Sequence, residues 1–163
     1  MKKEKIFLDK DEALLKLQRY CVYQDRCHQE VRTKLISYGV YGLDLENVIT
    51  ELISENFLNE ERFARSYAGG KFRIKKWGRV RIVLELKRRR ISAYCIKKGL
   101  AEIGDVDYRE TLERLLEKKS DTIHENNTFK KNGKLAKFVI GKGYEAHLVW
   151  EVIKEKWPNK KRW

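Results

Sequence analysis

Proline is almost absent from this chain of 163 residues, and its absence constrains the fold more than any other feature. The single proline is Pro158, close to the end of the sequence. Proline removes a backbone donor and clashes with the preceding helical turn, so it rarely lies inside helices. A long proline-free sequence with apolar residues three and four positions apart indicates helices. The sequence therefore predicts an all-α protein.

Capping residues predict where several helices begin and end. Asp9 is a predicted N-cap, and Gly39 is a predicted helix stop. Asp44 is the predicted cap of a helix with the apolar stripe Leu45, Val48, Ile49, Leu52 and Ile53. One local signal points elsewhere, because Asn132-Gly133 is typical of a β-hairpin turn. The repeat described next puts Gly133 at the start of a helix, and we favour the helix.

An apolar pattern recurs with a period near 50. Val40, Ile91 and Tyr144 lie 51 and 53 residues apart, and each follows apolar residues nine and five positions earlier. We interpret the pattern as a three-helix unit used three times. The predicted repeats are 9–58, 59–104 (strongly basic) and 105–157, followed by a basic tail at 158–163. Such an array predicts an elongated, curved body, and an irregular helical domain is the alternative.

The charge of the chain indicates a polyanionic partner. Lys and Arg number 37 against 24 Asp and Glu, which leaves a formal net charge of +13. An excess of this size is typical of proteins that bind nucleic acid. A generically basic, soluble surface is the alternative.

Most of the excess positive charge lies in residues 71–98, which contain one acid, Glu85. A row of cations like this predicts contact with the phosphate backbone, without sequence preference. Trp77 either stacks on a base of a single strand or packs between two helices. A solvated helix face is the alternative for the whole segment. The predicted contact residues are Lys71, Arg73, Lys75, Lys76, Arg79, Arg81, Arg88, Arg89 and Arg90.

No motif of catalysis, metal binding or membrane insertion is present in the sequence. It contains no phosphate-binding glycine loop, no H-E-x-x-H pair and no nucleophile elbow, so we expect neither an enzyme nor a cofactor. Cys21, Cys27 and Cys95 fit free thiols in a reducing compartment, and Cys27-His28 lacks a second ligand pair for a metal. No apolar run approaches the roughly 20 residues that span a bilayer. We therefore expect a cytoplasmic protein.

Three stretches of the sequence resemble the RecX family. They are CHQEVRTKLISYGV, NFLNEERFARSYAGGKFR and WGRVRIVLELKRRRIS, and together they lie between about residues 10 and 105. In the second stretch Phe57, Leu58 and Phe63 match the family, and we interpret them as core residues at the joint between repeats. The chain departs from many relatives at Arg79, where they have proline, and near Arg90, where they have glycine. Arg90 predicts a different turn geometry.

The resemblance implies a function. RecX-like proteins are built from tandem three-helix repeats, bind in the groove of the RecA–DNA filament, and inhibit its ATPase, strand-exchange and co-protease activities. It therefore implies a regulator of DNA repair, recombination and the SOS response, whose partners are the RecA filament and the backbone of single- and double-stranded DNA. We expect a monomer. The alternative is a helix-turn-helix transcription regulator that reads duplex DNA. A nuclease is disfavoured, because no acidic metal cluster is visible.

Overall fold

The computed structural model describes residues 4–158, and over this range the chain forms nine α-helices and no β-strand. The all-α prediction is therefore confirmed for the described residues. None of these helices has the length and apolar character needed to cross a bilayer. The predicted basic tail lies outside the described residues, apart from Pro158. The helices are α1 (Lys10–Tyr23), α2 (His28–Ser37), α3 (Gly42–Ser54), α4 (Glu60–Lys75), α5 (Arg79–Arg88), α6 (Ala93–Leu100), α7 (Asp105–Thr122), α8 (Thr128–Gly141) and α9 (Ala146–Lys156).

The contacts within the chain define two compact units. Unit 1 comprises Met1–Ser66 and Lys87–Gly99, and unit 2 comprises Tyr67–Leu86 and Leu100–Trp163. Helices α4 and α5 each contribute residues to both units. The predicted repeat boundaries at residues 58 and 104 stay predictions.

Unit 1 is built around the mutual packing of α1, α2 and α3. Leu17, Leu35 and Leu52, one from each of these helices, are completely buried in its core. Burial of one such side chain contributes about 1.5–3 kcal/mol to folding. Of the residues interpreted as a joint, Leu58 and Phe63 are buried, and Phe57 packs half-buried against the same core.

One of the two N-caps predicted in unit 1, Asp9, is confirmed. The Asp9 carboxylate accepts the Glu12 amide at 2.8 Å, and the Glu12 side chain reaches back to the Asp9 amide, which completes a capping box. The prediction for Asp44 is wrong, because α3 begins at Gly42 and its N-cap is Tyr41, three residues before Asp44. Asp44 lies in the first turn instead, where its carboxylate favours the positive end of the helix dipole.

Two further details differ from the sequence prediction. Ile53 is 45% exposed, although the rest of its stripe is buried. Apolar spacing defines the face of a helix but not how far its neighbours cover the edge of that face. Helix α8 includes Asn132-Gly133, so the helix is correct and the hairpin is not. Gly133 lies inside this helix and not at its start, because Asn127 caps α8.

Unit 2 contains α7, α8 and α9, which also pack on one another in pairs. Its core includes the fully buried side chains Tyr108, Leu112, Leu116, Leu135, Val139, Val149 and Ile153. On α7, Leu112 and Leu116 follow Tyr108 at intervals of four residues, which puts the three on one face. Val139 follows Leu135 on α8, and Ile153 follows Val149 on α9, at the same spacing. The segment Tyr67–Leu86 also belongs to this unit, and its Phe72, Ile82 and Leu86 are buried as well.

Three turns of the chain share one geometry. The residues Gly39, Arg90 and Gly143 have φ angles of 75°, 57° and 101°. Each donates its amide to a carbonyl three residues earlier at 2.9 Å, and each is followed by a buried residue. The expectation of a different turn at Arg90 is therefore wrong. The hydrogen bond and the buried Ile91 hold an L-residue in the left-handed region, at a cost of about 1–2 kcal/mol.

We expect Arg90→Gly to raise the free energy of unfolding by about 0.5–1 kcal/mol, because glycine adopts positive φ without a steric penalty. Arg90→Ala is the matched control, since it removes the same charge but keeps the left-handed alanine. Urea unfolding followed by circular dichroism measures both variants. Equal stability of the two would contradict the assignment of strain to the backbone of Arg90.

The turn between α4 and α5 lies against the turn between α8 and α9 inside unit 2. The Gly78 amide donates to the Lys142 carbonyl and the Val80 amide to the Gly143 carbonyl, both at 2.9 Å. A Cβ atom on Gly78 would lie 2.2 Å from the carbonyl carbon and oxygen of Gly143. Only glycine therefore allows the two backbones to approach this closely.

Gly78→Ala should lower the free energy of unfolding by about 1–3 kcal/mol, because the added methyl group has no space. Gly70→Ala is the control within the same unit. Gly70 lies in the interior of α4 with nothing within 4 Å of its Cβ position, so alanine should raise the stability by about 1 kcal/mol. Urea titration of both variants checks the opposite signs, and a stable Gly78→Ala variant would contradict the close approach.

Candidate nucleic-acid interface

The nine predicted contact residues follow the chain from α4 through α5 to the turn after it, and they divide between the two compact units. Unit 2 contains Lys71, Arg73, Lys75, Lys76, Arg79 and Arg81. Unit 1 contains Arg88, Arg89 and Arg90. The single stripe expected from the sequence stays a prediction, and each group is a separate candidate for contact with an anion.

Most of these cations are on the surface of their unit. Six are exposed, and the other three, Lys71, Arg79 and Arg89, are half-buried. Helix α5 also exposes Val80 and Leu84 beside its charged residues. The exposed side of α5 therefore carries both apolar side chains and cations, and the cations are accessible to a polyanion. The six exposed residues are Arg73, Lys75, Lys76, Arg81, Arg88 and Arg90.

The backbone amides at the start of α5 have acceptors inside unit 2. The Arg79 amide donates to the Tyr108 phenol oxygen at 3.0 Å, and the Val80 amide donates to the Gly143 carbonyl at 2.9 Å. Free amides at a helix N-terminus are a common binding site for phosphate. Because these amides are occupied, anion binding near this turn depends on side chains.

Two buried tyrosines hold this turn in place. The Tyr108 hydroxyl donates to Glu145 Oε1 at 2.8 Å, and the Tyr144 hydroxyl donates to the Lys76 carbonyl at 3.0 Å. Their rings stack with centroids 5.0 Å apart, and Phe72 packs on Tyr108. Burial raises the pKa of both phenols far above the ordinary value, so both remain protonated donors. The path of the chain from Lys76 to Arg79 is therefore well determined.

Arg79 is held within its unit by three contacts. Its guanidinium pairs with Asp105 Oδ1 at 2.6 Å and donates to the Ile103 carbonyl at 3.3 Å. It also lies over the Tyr108 ring, 4.1 Å from the centroid. The structure thus gives Arg79 a packing role.

Sequence reasoning missed the residues that shape this turn. The sequence pattern predicts no role for Tyr108 or Glu145, and it indicates Tyr144 only as an apolar position of the repeat. The hydrogen bonds join residues 37 and 68 positions apart. No local pattern reports such pairs, whereas the repeat alignment did indicate that the Tyr144 position is buried.

Metal-binding groups and reactive thiols are two other kinds of site. Among the described residues, no group of three or more His, Cys, Asp or Glu side chains is arranged to hold a metal ion. Cys21, Cys27 and Cys95 are buried free thiols. Burial raises the pKa of all three, which lowers the fraction of reactive thiolate at neutral pH.

Comparison with known proteins shows similarity to one family. Residues 59–100 match the family model described as the second three-helix domain of RecX. Over 131 residues, the chain is 29% identical to the regulatory protein RecX of Clostridium perfringens strain 13, covering 79% of this chain and 61% of that protein. Over 131 residues it is 30% identical to the regulatory protein RecX of Clostridium tetani, covering 79% and 58%. This chain is thus similar to RecX proteins over about four fifths of its length.

Solved RecX structures share its fold. The crystal structure of RecX from Lactobacillus salivarius superimposes with a TM-score of 0.81 at 23% identity, covering 90% of this chain and 95% of that one. A second crystal structure of a regulatory protein RecX gives a TM-score of 0.80 at 19% identity, covering 90% and 73%. The helical architecture is thus that of RecX proteins.

The match to the RecX family model includes the candidate interface. All nine predicted contact residues fall within residues 59–100, the segment that matches the RecX family model. The chain spans about 60% of the length of the curated RecX relatives named above. Its partners and activity are therefore treated as proposals.

Tyr108→Phe should lower the free energy of unfolding by about 1–3 kcal/mol, because it leaves the Arg79 amide and the Glu145 carboxylate without their phenol partner. Tyr94→Phe is the control, since Tyr94 is 61% exposed on α6. Urea unfolding at neutral pH measures both.

The same variant has a pH signature. The folded pKa of Tyr108 is raised, so its stabilising contribution is complete below pH 10, where the unfolded phenol begins to ionise, and falls above it. The wild type should therefore lose more stability than Tyr108→Phe between pH 10 and 11, by up to about 1.4 kcal/mol. Parallel pH profiles of the two proteins would contradict the buried, protonated phenol.

Proposed function

We propose that this protein binds the filament that RecA forms on DNA and inhibits its ATPase, strand-exchange and co-protease activities. The observation that carries the proposal is the match of residues 59–100 to the second three-helix domain of RecX, because this segment contains the basic residues. Such a regulator acts in the cytoplasm, where the filament forms. Inhibition is stoichiometric and needs no catalytic group.

The repeat interpretation suggests how one chain engages several filament subunits. We propose three repeats, at 9–58, 59–104 and 105–157, of which the first and third contact the recombinase. The common geometry of the turns at Gly39, Arg90 and Gly143 supports this division. A protein that contacts neighbouring subunits at once restrains their rearrangement, which hydrolysis and strand exchange require.

The central repeat supplies affinity for DNA. Its exposed cations attract the phosphate backbone over long range and release condensed counterions on contact. Arg81 and Arg90 are exposed members of this set, whereas Arg79 is already paired with Asp105. Contact of this kind carries no base preference, so the protein follows the filament wherever it forms.

A helix-turn-helix transcription regulator is the alternative, and the composition of α5 speaks against it. In the major groove Arg and Lys read guanine, Asn and Gln read adenine, and acidic side chains read cytosine, so readout of a mixed sequence needs several of these residue types. Residues 79–88 contain no Asn, Gln, Ser or Thr, and the amides at the start of the helix are bonded within unit 2. A cation-rich helix of this kind favours backbone contact.

ATP hydrolysis by RecA on single-stranded DNA provides the test, with binding of bare single- and double-stranded DNA measured alongside. We expect hydrolysis to fall at protein concentrations well below those that coat bare DNA, because the filament offers protein as well as phosphate contacts. Unchanged hydrolysis, together with sequence-dependent binding to a duplex, would favour the transcription regulator and contradict the proposal.

Charge-reversal variants connect the inhibition to the basic residues. Reversal of Arg88, Arg89 and Arg90 to Glu should weaken DNA binding and reduce its salt dependence. The logarithmic slope should fall by about 0.7 for each phosphate of a single strand that the variant no longer neutralises. Reversal of the exposed residues Arg114, Lys118 and Lys137 is the matched control, with the same change in net charge. Thermal unfolding checks that both variants fold, and equal reductions in affinity would assign the effect to net charge alone.

A further inference from the structure

Four side chains of unit 2 form an alternating series of aromatic rings and cations. Lys71 Nζ lies 5.4 Å from the centroid of the Tyr67 ring and 5.0 Å from that of Trp77. The Arg81 guanidinium lies 4.1 Å from the centroid of the same Trp77 ring. We call this series, Tyr67, Lys71, Trp77 and Arg81, the aromatic–cation ladder.

The ladder is held by well-ordered elements. Tyr67 and Lys71 are one turn apart on α4, Trp77 lies in the turn, and Arg81 is on the first turn of α5. The backbone at Trp77 is bonded to α4 through the Lys71 carbonyl, at 3.3 Å. The next residue, Gly78, is fixed against the turn at Gly143. Trp77 is therefore a half-buried ring in a fixed position, with an exposed arginine beside it.

An aromatic ring and a carboxylate hold a cation in different ways. The Arg79 guanidinium is neutralised by Asp105, whereas the partners that the structure gives to Lys71 and Arg81 are uncharged rings. An aromatic face attracts a cation and restricts its rotamers without cancelling its charge. A guanidinium that lies against a ring keeps the N–H groups at its edge for two parallel hydrogen bonds to a phosphate.

The two cations also bear on base stacking. A base that stacked on the indole would compete with Lys71 and Arg81 for the surface of the ring. The protein itself also covers part of Trp77, as expected of a residue that packs in a turn. The ladder therefore favours contact with the backbone of a strand over contact with its bases.

We propose that Tyr67 and Trp77 are positioning residues, which hold Lys71 and Arg81 as a pre-ordered pair of cations for the phosphates of a nucleic-acid strand. The inference rests on the proposed contact with DNA and adds the residues that make the contact selective for a phosphodiester backbone. Binding is stronger than for freely moving side chains, because less rotamer entropy is lost when the phosphate arrives.

The first experiment replaces Trp77 in the full chain and measures binding to a fluorescein-labelled oligothymidylate by anisotropy. Trp77→Leu keeps an apolar side chain but has no ring, and we expect a loss of affinity of about three- to fivefold. Trp77→Phe keeps a ring and should lose about half as much on a logarithmic scale. Trp150→Leu, on α9 of the same unit, is the control and should leave affinity unchanged. Equal losses for Leu and Phe at position 77 would overturn the positioning role.

The salt dependence separates positioning from direct contact. Trp77→Leu should leave the slope of log affinity against log salt unchanged, because both cations remain. Arg81→Ala should lower the slope by about 0.7, whereas the control Arg114→Ala should not. Arg81→Lys keeps the charge and, at this exposed position, the fold. It should still weaken binding, because an ammonium lacks the flat face and the paired donors of a guanidinium. An affinity of Arg81→Lys equal to the wild type would overturn the proposal.

An abasic strand distinguishes backbone contact from base stacking. On an oligomer of abasic nucleotides, Trp77→Leu should lose the same factor as on oligothymidylate. A loss that occurs only when bases are present would make Trp77 a stacking residue and overturn the inference. Wild-type protein that binds neither oligomer would overturn both the ladder and the proposed DNA contact. Wild-type binding with no effect of Trp77→Leu would overturn the ladder alone.

Discussion

The contact between the Gly78 turn and the Gly143 turn determines the arrangement of everything else in unit 2 that bears on function. The two backbones approach so closely that the Gly78 and Val80 amides donate to the Lys142 and Gly143 carbonyls, which the absence of a side chain at Gly78 allows. The same contact satisfies the Val80 amide at the start of α5, and the phenol oxygen of Tyr108 accepts the Arg79 amide. The position of the first turn of α5, and of Arg79 and Arg81 within unit 2, follows from this one approach.

The helices were largely predictable from the sequence, because their main determinants are local. The lack of proline, the cap at Asp9 and the glycine at Gly39 all act within a few residues, and the structure agrees with them. The failures at Asp44 and Ile53 have a different origin. Helix α3 begins before Asp44 although Tyr41 makes no side-chain capping bond, so capping preference alone does not decide where this helix starts. The covered width of an apolar face depends on neighbouring helices.

The candidate site was predictable in composition but not in roles. Charge density alone identified the segment, since it is a property of adjacent residues. It could not distinguish Arg79 from Arg81, because the difference lies in what each one meets. Arg79 meets a carboxylate 26 residues away, and Arg81 meets the ring of Trp77. Arg90 shows the opposite case, in which family comparison suggested an altered turn and the backbone kept the same left-handed form.

The bond from Tyr144 to the Lys76 carbonyl has a consequence for synthesis of the protein. The two residues are 68 positions apart, so the turn that carries Trp77 is translated long before its supporting partners. Translation proceeds at about 5–20 residues per second, so the turn remains without them for several seconds. During that interval the Lys76 carbonyl lacks its phenol donor. The turn that carries Trp77 can therefore reach the arrangement of the folded protein only after the chain has been synthesised as far as Tyr144.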